Sequence, residues 1–210
     1  MDALASVFIW LDYAAVAVFA ATGAMAAAQR KHDIVTFGFF AAVTGVGGGT
    51  MRDLLLGAPV FWVGRPDYLI ACALAALAVW VFGTGQARLK VLLWLDALGM
   101  AAYSVVGAAK AASLGAPPIS VIVMGVLTAC FGGIIRDVLA EEPSVLLRRE
   151  LYVSCALIGA SVFVGLEFVG LADFWAGMGG FSAAFLMRGA AIYRGWMLPS
   201  FPGRGGDKTR

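Results

Sequence analysis

A single histidine and three cysteines in 210 residues close off several chemistries at once. His32, alone in a polar turn, cannot supply a paired metal-binding motif. No Ser-His-Asp set, phosphate-binding glycine loop or dinucleotide fingerprint is present, so an enzyme is not expected and neither is a cofactor. Cys72, Cys130 and Cys155 lie within apolar runs and read as small core residues, not as a disulfide framework or a tightly held metal site. Charge is scarce too: Asp, Glu, Lys and Arg make up 13% of the chain and apolar residues 61%. Ordinary soluble domains carry ~25% and ~45 to 50%, so a soluble domain is excluded. The N-terminus, MDALASVFIWLDY, lacks the basic start of a signal peptide, and its apolar run is read as a true span.

What is present is a succession of apolar runs at about 3–28, 34–56, 68–82, 91–112, 119–140, 151–169 and 174–192. A helical crossing needs ~20 mostly apolar residues. The runs therefore predict an all-α integral membrane protein with seven transmembrane helices. The joints are short and marked by RKHD, GRPD and LGAPP. They leave one domain, 1–198, followed by a polar, glycine-rich tail at 199–210 that is expected to be disordered. Basic residues gather on one face, among them Arg30, Lys31, Arg88, Lys90, Arg148, Arg149, Arg188 and Arg194. By the positive-inside rule this places the N-terminus outside and the C-terminus in the cytoplasm.

The strongest signal is self-similarity at an offset of 84 residues without gaps. Asp12 matches Asp96, Gly23 matches Gly107, Pro59 matches Pro143 and Tyr68 matches Tyr152. The densest stretch sets TGVGGGTMRD at 44–53 against TACFGGIIRD at 128–137. Each repeat, about 3–85 and about 87–169, holds three spans. Three is odd, so the copies are inverted, and a seventh helix at about 172–194 follows. Inverted repeats tend to place an ion or solute path between corresponding broken helices near the midplane.

Gly47, Gly48 and Gly49 make the second span easy to kink, and Gly132 and Gly133 do so for the fifth, since glycine is ~1 kcal/mol poorer than alanine in a helix. Opened carbonyls, with the hydroxyls of Thr44 and Thr128, are oxygen ligands suited to a monovalent cation. The competing reading is close packing, because Ala41, Gly45 and Gly49 form a small-residue ridge mirrored by Gly125, Ala129 and Gly133. TGVGGG is not a potassium-channel filter, which is a short re-entrant loop supplied four times.

Arg52, Asp53, Arg136 and Asp137 are costly within a bilayer and need partners. Depth along the spans predicts two separate networks, Asp12 with Arg52 on the outer side and Asp96 with Arg136 on the inner side. Salt bridges that merely anchor the helices are the competing reading. Lys110, whose mate is Ala26, either snorkels from the end of the fourth span or stands at the outer mouth, where it could tune or gate flow.

The doubled GG-x-x-RD motif, on two three-span repeats followed by a seventh helix, resembles the bacterial members of the trimeric intracellular cation channel family over about Leu11 to Tyr193. The resemblance implies a homotrimer in the bacterial inner membrane with lipid between protomers. It also implies one pore per protomer, lined by the kinked second and fifth helices and conducting potassium and also sodium. Phe131 stands where Gly47 would be matched, so the second break is expected to be weaker or partly plugged by the ring. Two rivals remain: a secondary transporter of a small solute such as glycine or another amino acid, and a structural membrane protein whose glycines only pack.

Overall fold

Turn and cap residues set the limits of seven helices in the computed structural model, which describes residues 2–83, 88–144 and 150–199. Residues 200–210 of the expected tail, and Arg148 and Arg149, lie outside that range. The helices are α1 Asp2–Gln29, α2 Ile34–Leu55, α3 Asp67–Phe82, α4 Arg88–Ser113, α5 Pro118–Leu139, α6 Val153–Phe168 and α7 Asp173–Arg194. Asp33 caps α2, its carboxylate accepting from the Val35 and Thr36 amides at 2.9 Å each. Proline at the start of α5 contributes a pre-set φ where an amide donor would be unused.

The Thr36 amide is the main reason the exposed Asp33 carboxyl sits below its ordinary range. A depressed carboxyl stabilises the fold above the unfolded value of about 3.9 and loses that contribution as pH falls through the folded one. Asp33→Ala should therefore lower the thermal midpoint at pH 7, and the gap to the natural chain should shrink below about pH 4. Melting curves across that range check it.

The 84-residue repetition is visible in the backbone of the turns. After α1 the left-handed residue is Lys31 (φ 56°), and after α4 it is its mate Gly115 (φ 77°). After α2 it is Gly57 (φ 65°), and after α5 its mate Glu141 (φ 52°). The closing hydrogen bonds repeat as well: the Ala58 amide reaches the Asp53 carbonyl and the Glu142 amide reaches the Asp137 carbonyl, both at 2.9 Å. Glycine is needed at neither pair in both copies, which is why sequence matching alone misses these turns.

Among the described residues four helices are long and apolar enough to cross a membrane: Ile9–Gln29, Ile34–Leu55, Lys90–Ser113 and Pro118–Leu139. The expected third and sixth spans are apolar helices of only 16 residues each, about 24 Å of rise against a ~30 Å hydrocarbon core. The surface is inverted relative to a soluble protein. Leu54, Leu74, Phe82, Phe168 and Leu186 are exposed, whereas Arg52, Asp53, Asp96, Arg136, Asp137 and Arg188 are buried. Hydrocarbon rewards that arrangement, because apolar side chains lose nothing by facing it and every buried polar group must find a protein partner.

Within each triplet every helix touches the other two, and the triplets meet through α1 against α4 and α2 against α5. α7 packs on α6 and α4. Repeat mates run antiparallel: Ile9 and Asp12 at the start of α1 share a cavity with Lys110 and Ser113 at the end of α4. Phe19 and its mate Tyr103 stack on each other between α1 and α4, ring centroids 5.4 Å apart.

Candidate functional site

Glycine and threonine bring α2 and α5 together at the centre of the molecule. A Cβ on Gly48 would run into the Thr128 carbonyl oxygen, and one on Gly132 would stand 2.6 Å from the Thr44 carbonyl oxygen. Each glycine thus opposes the threonine of the other repeat, backbone against backbone. Gly47 faces the tip of Ile135, Gly49 the ring of Phe61, and Gly133 the hydroxyl of Tyr152. Helical structure is unbroken through both glycine clusters. The expected unwinding, with free carbonyls lining a path, is therefore not found. The glycines let two intact helices cross too closely for any Cβ, and an intact helix leaves no carbonyl unpaid at membrane depth.

The central threonines are enclosed rather than turned toward a water path. Gly23 packs on Thr44 and its mate Gly107 packs on Thr128. Thr128 Oγ1 donates to the Met124 carbonyl at 2.6 Å, while Thr44 Oγ1 is buried with no hydrogen-bond partner among the described residues. The stripes Thr44, Gly48, Arg52 and Thr128, Gly132, Arg136 are buried along their whole length. Phe131 is half-buried and lines neither cavity described below.

Below the crossing, Arg136 is the hub. Its Nη1 donates to Asp96 Oδ1 at 2.7 Å and to Thr22 Oγ1 at 3.1 Å. Its Nε and Nη2 both donate to Asp137 Oδ1, at 3.0 and 2.8 Å. The Asp96 to Arg136 contact expected from span depth is present, joining α4 to α5.

Above the crossing the arrangement differs from expectation. Arg52 Nε donates to the neighbouring Asp53 Oδ1 at 2.8 Å, and among the described residues no hydrogen bond or ion pair joins Arg52 to Asp12. Asp12 instead accepts from the Tyr68 hydroxyl at 2.8 Å. Asp53 is oversupplied with donors: Lys110 Nζ reaches Oδ1 at 2.7 Å and the Phe61 amide reaches Oδ2 at 2.9 Å. Lys110 is thus neither a free snorkelling lysine nor an unengaged one at a mouth. It ties α4 to α2 with its side chain 30% exposed.

Each network opens on a cavity. The one at the Asp96 end, labelled inner after the orientation expected from the basic residues, is about 90 Å³ and lined by Gln29, Leu93, Asp96, Arg136, Glu142 and Arg188 among others. The one at the Asp12 end, labelled outer, is about 370 Å³ and lined by Ile9, Asp12, Lys110, Ser113 and Asp173 with two apolar neighbours. Ile9, Asp12, Lys110 and Ser113 are the 84-residue mates of Leu93, Asp96, Ala26 and Gln29, and all four mates line the inner cavity. Two corresponding cavities therefore lie at opposite ends of α1 and α4, with the α2–α5 crossing at the centre.

Sequence reasoning placed Arg188 among the basic residues of the cytoplasmic face. It is 2% exposed, donates to Glu150 Oε2 at 2.7 Å and lies over the Tyr152 ring at 5.3 Å. Its position inside the last apolar run, not beyond it, was the available signal. Tyr68 and Tyr152 were visible as a matched pair, but nothing in the sequence set them beside Asp12 and Asp96.

Comparison with known proteins accounts for the doubled architecture. A family model described as a glycine transporter matches twice, at residues 9–84 and 93–167. The chain is 37% identical to the inner membrane protein YadS of Escherichia coli over 91% of its own length and 95% of that protein's. Among solved structures it is similar to the trimeric intracellular cation channel orthologue from Rhodobacter sphaeroides, at 47% identity and TM-score 0.88. That match covers 91% of this chain and all of that one. A second trimeric intracellular cation channel, described for the structural basis of its conductance, matches at 31% identity and TM-score 0.83, covering 95% of this chain and all of its own. This seven-helix membrane protein belongs to the trimeric intracellular cation channel family.

Proposed function

We propose that the chain is a cation channel whose path runs inside each protomer, from the outer cavity past the α2–α5 crossing to the inner cavity. The observation that carries this reading is the pair of corresponding cavities at opposite ends of α1 and α4, each bordered by a carboxylate, Asp12 or Asp96. Two inverted repeats, about 3–85 and 87–169, supply half of the crossing each and together line both cavities, and the seventh helix at about 172–194 buttresses α4 and α6. The permeant ions are potassium and also sodium. Thr44, Gly47, Gly48 and Gly49 border the narrowest part from one side, and Thr128, Gly132 and Gly133 from the other. Asp12, Arg52, Asp53, Asp96, Arg136 and Asp137 set the field along the path. Lys110, held on Asp53, stands at the outer mouth, and Phe131 flanks the crossing.

With the crossing packed glycine to carbonyl, this arrangement is a closed one, and conduction requires α2 and α5 to separate. The solved relatives are named as trimeric, and the same assembly is proposed here, with lipid between protomers in a bacterial inner membrane, N-terminus outside and C-terminus cytoplasmic.

A second reading, a secondary transporter of a small solute such as glycine, is favoured by the same closed crossing between two cavities, which is also the geometry of alternating access. Purified protein in planar bilayers separates the two. Unitary ohmic currents in symmetrical potassium chloride, with a reversal potential that follows the cation gradient, are the expected result. Saturable, gradient-coupled solute uptake without unitary currents would establish the transporter instead.

A further inference from the structure

The two charged networks are built from matching residues but are not in the same state. In the inner half Asp96 is held by Arg136 at 2.7 Å. The Tyr152 hydroxyl, although beside Asp96, has no hydrogen bond of proper geometry. In the outer half the partners are exchanged. Asp12 is held by the Tyr68 hydroxyl at 2.8 Å, and Arg52 Nη1 and Asp12 Oδ1 are buried with no hydrogen-bond partner among the described residues. Each carboxylate has the same two donors close by, a tyrosine hydroxyl and a guanidinium, and holds a different one.

The outer arrangement is the costlier, because a guanidinium N–H and a carboxylate oxygen both lose hydration, which the Phe61 ring 5.6 Å from Arg52 Cζ replaces only in part. The residue that breaks the symmetry accounts for its survival. Lys110, with only Ala26 as its mate, sits on Asp53 Oδ1 at 2.7 Å. Arg52 is left a single Nε bond to that oxygen, whereas Arg136 grips Asp137 through both Nε and Nη2. A two-point seat aims Nη1 of Arg136 at Asp96, and Arg52 lacks that seat.

We propose that Asp12, Tyr68 and Arg52 form a latch, in which Asp12 exchanges Tyr68 for Arg52 and the outer half takes up the bonding seen in the inner half. Tyr68 and Lys110 are positioning residues that hold it open. Closing it ties α1 directly to α2 and reshapes the outer cavity that Asp12 and Lys110 line. The consequence for conduction rests on the channel reading above, but the latch itself does not.

The test is a double-mutant cycle on thermal unfolding of the full chain in detergent. It pairs Asp12→Asn with Arg52→Lys, which keeps the charge but cannot bridge two carboxylates. In the natural chain the two shifts should add. In a Tyr68→Phe or Lys110→Ala background they should depart from additivity by roughly 3 to 6 °C. Tyr152→Phe should leave the corresponding Asp96 and Arg136 coupling unchanged. Equal Asp12 to Arg52 coupling in all backgrounds overturns the latch. Should the cycle variants fail to fold, the structure of Tyr68→Phe alone decides: an Arg52 to Asp12 hydrogen bond upholds the exchange, and Asp12 without Arg52 overturns it. Unitary currents play no part in either readout, so failure of the channel reading and failure of the latch are separately visible.

Discussion

Gly48→Ala should lower the thermal midpoint of the detergent-solubilised protein, and Gly38→Ala in the same helix should raise it. The added methyl at Gly48 meets a carbonyl oxygen of α5, part of a backbone that cannot rotate away, whereas nothing lies within 4 Å of a Cβ at Gly38. Overpacking of this kind costs about 1 to 3 kcal/mol. At roughly 2 to 4 °C per kcal/mol for a chain of this size, that is a loss of about 2 to 12 °C. Gly38→Ala instead gains helix propensity of up to about 1 kcal/mol. Gly132→Ala should behave like Gly48→Ala, since its Cβ would stand 2.6 Å from the Thr44 oxygen. Gly48→Leu combined with Gly132→Leu should leave no monodisperse protein by size-exclusion chromatography. If Gly48→Ala melts like the natural chain yet abolishes flux, the glycines act by letting α2 bend, and the packing account is wrong.

The same crossing marks the limit of what could be read without coordinates. Seven apolar runs, their order and the 84-residue repetition are written in composition and spacing, and the helices fall where caps and prolines such as Asp33 and Pro118 start them. Which glycines flex and which pack is not written there. The decision depends on what faces the missing Cβ, and for Gly48 that is a carbonyl 80 residues further along the chain. Asp96 with Arg136 was legible because both charges are costly at similar depth and, among the described residues, Arg136 alone is ion-paired with Asp96. Asp12 with Arg52 was not, because Lys110 and Tyr68 come from α4 and α3 and redirect both partners. Arg188 escaped because counting basic residues by face takes no account of how far inside a run each one lies.

Arg136→Gln should be the most damaging single change in the charged networks, and clearly worse than Arg52→Gln at the matching position. Arg136 donates to both Asp96 and Asp137, and both carboxylates are buried. Removing one partner of a buried ion pair costs about 3 to 5 kcal/mol, because Asp96 loses the cation that holds it at 2.7 Å. Asp53 is better insured. After Arg52→Gln it retains Lys110 at 2.7 Å and the Phe61 amide at 2.9 Å, so a loss of about 1 to 3 kcal/mol is expected there. The comparison extends to rescue. Asp96→Asn placed on Arg136→Gln removes one stranded charge and should recover part of the lost midpoint, whereas Asp12→Asn placed on Arg52→Gln should recover little, since Asp12 is held by Tyr68 and not by Arg52. Melting curves of the five proteins, natural chain included, measure all of this. Equal losses at Arg52 and Arg136 would mean that Lys110 does not support Asp53. Two networks of matching residues would then be energetically alike despite their different bonding, and the asymmetry that Lys110 introduces would have no thermodynamic weight.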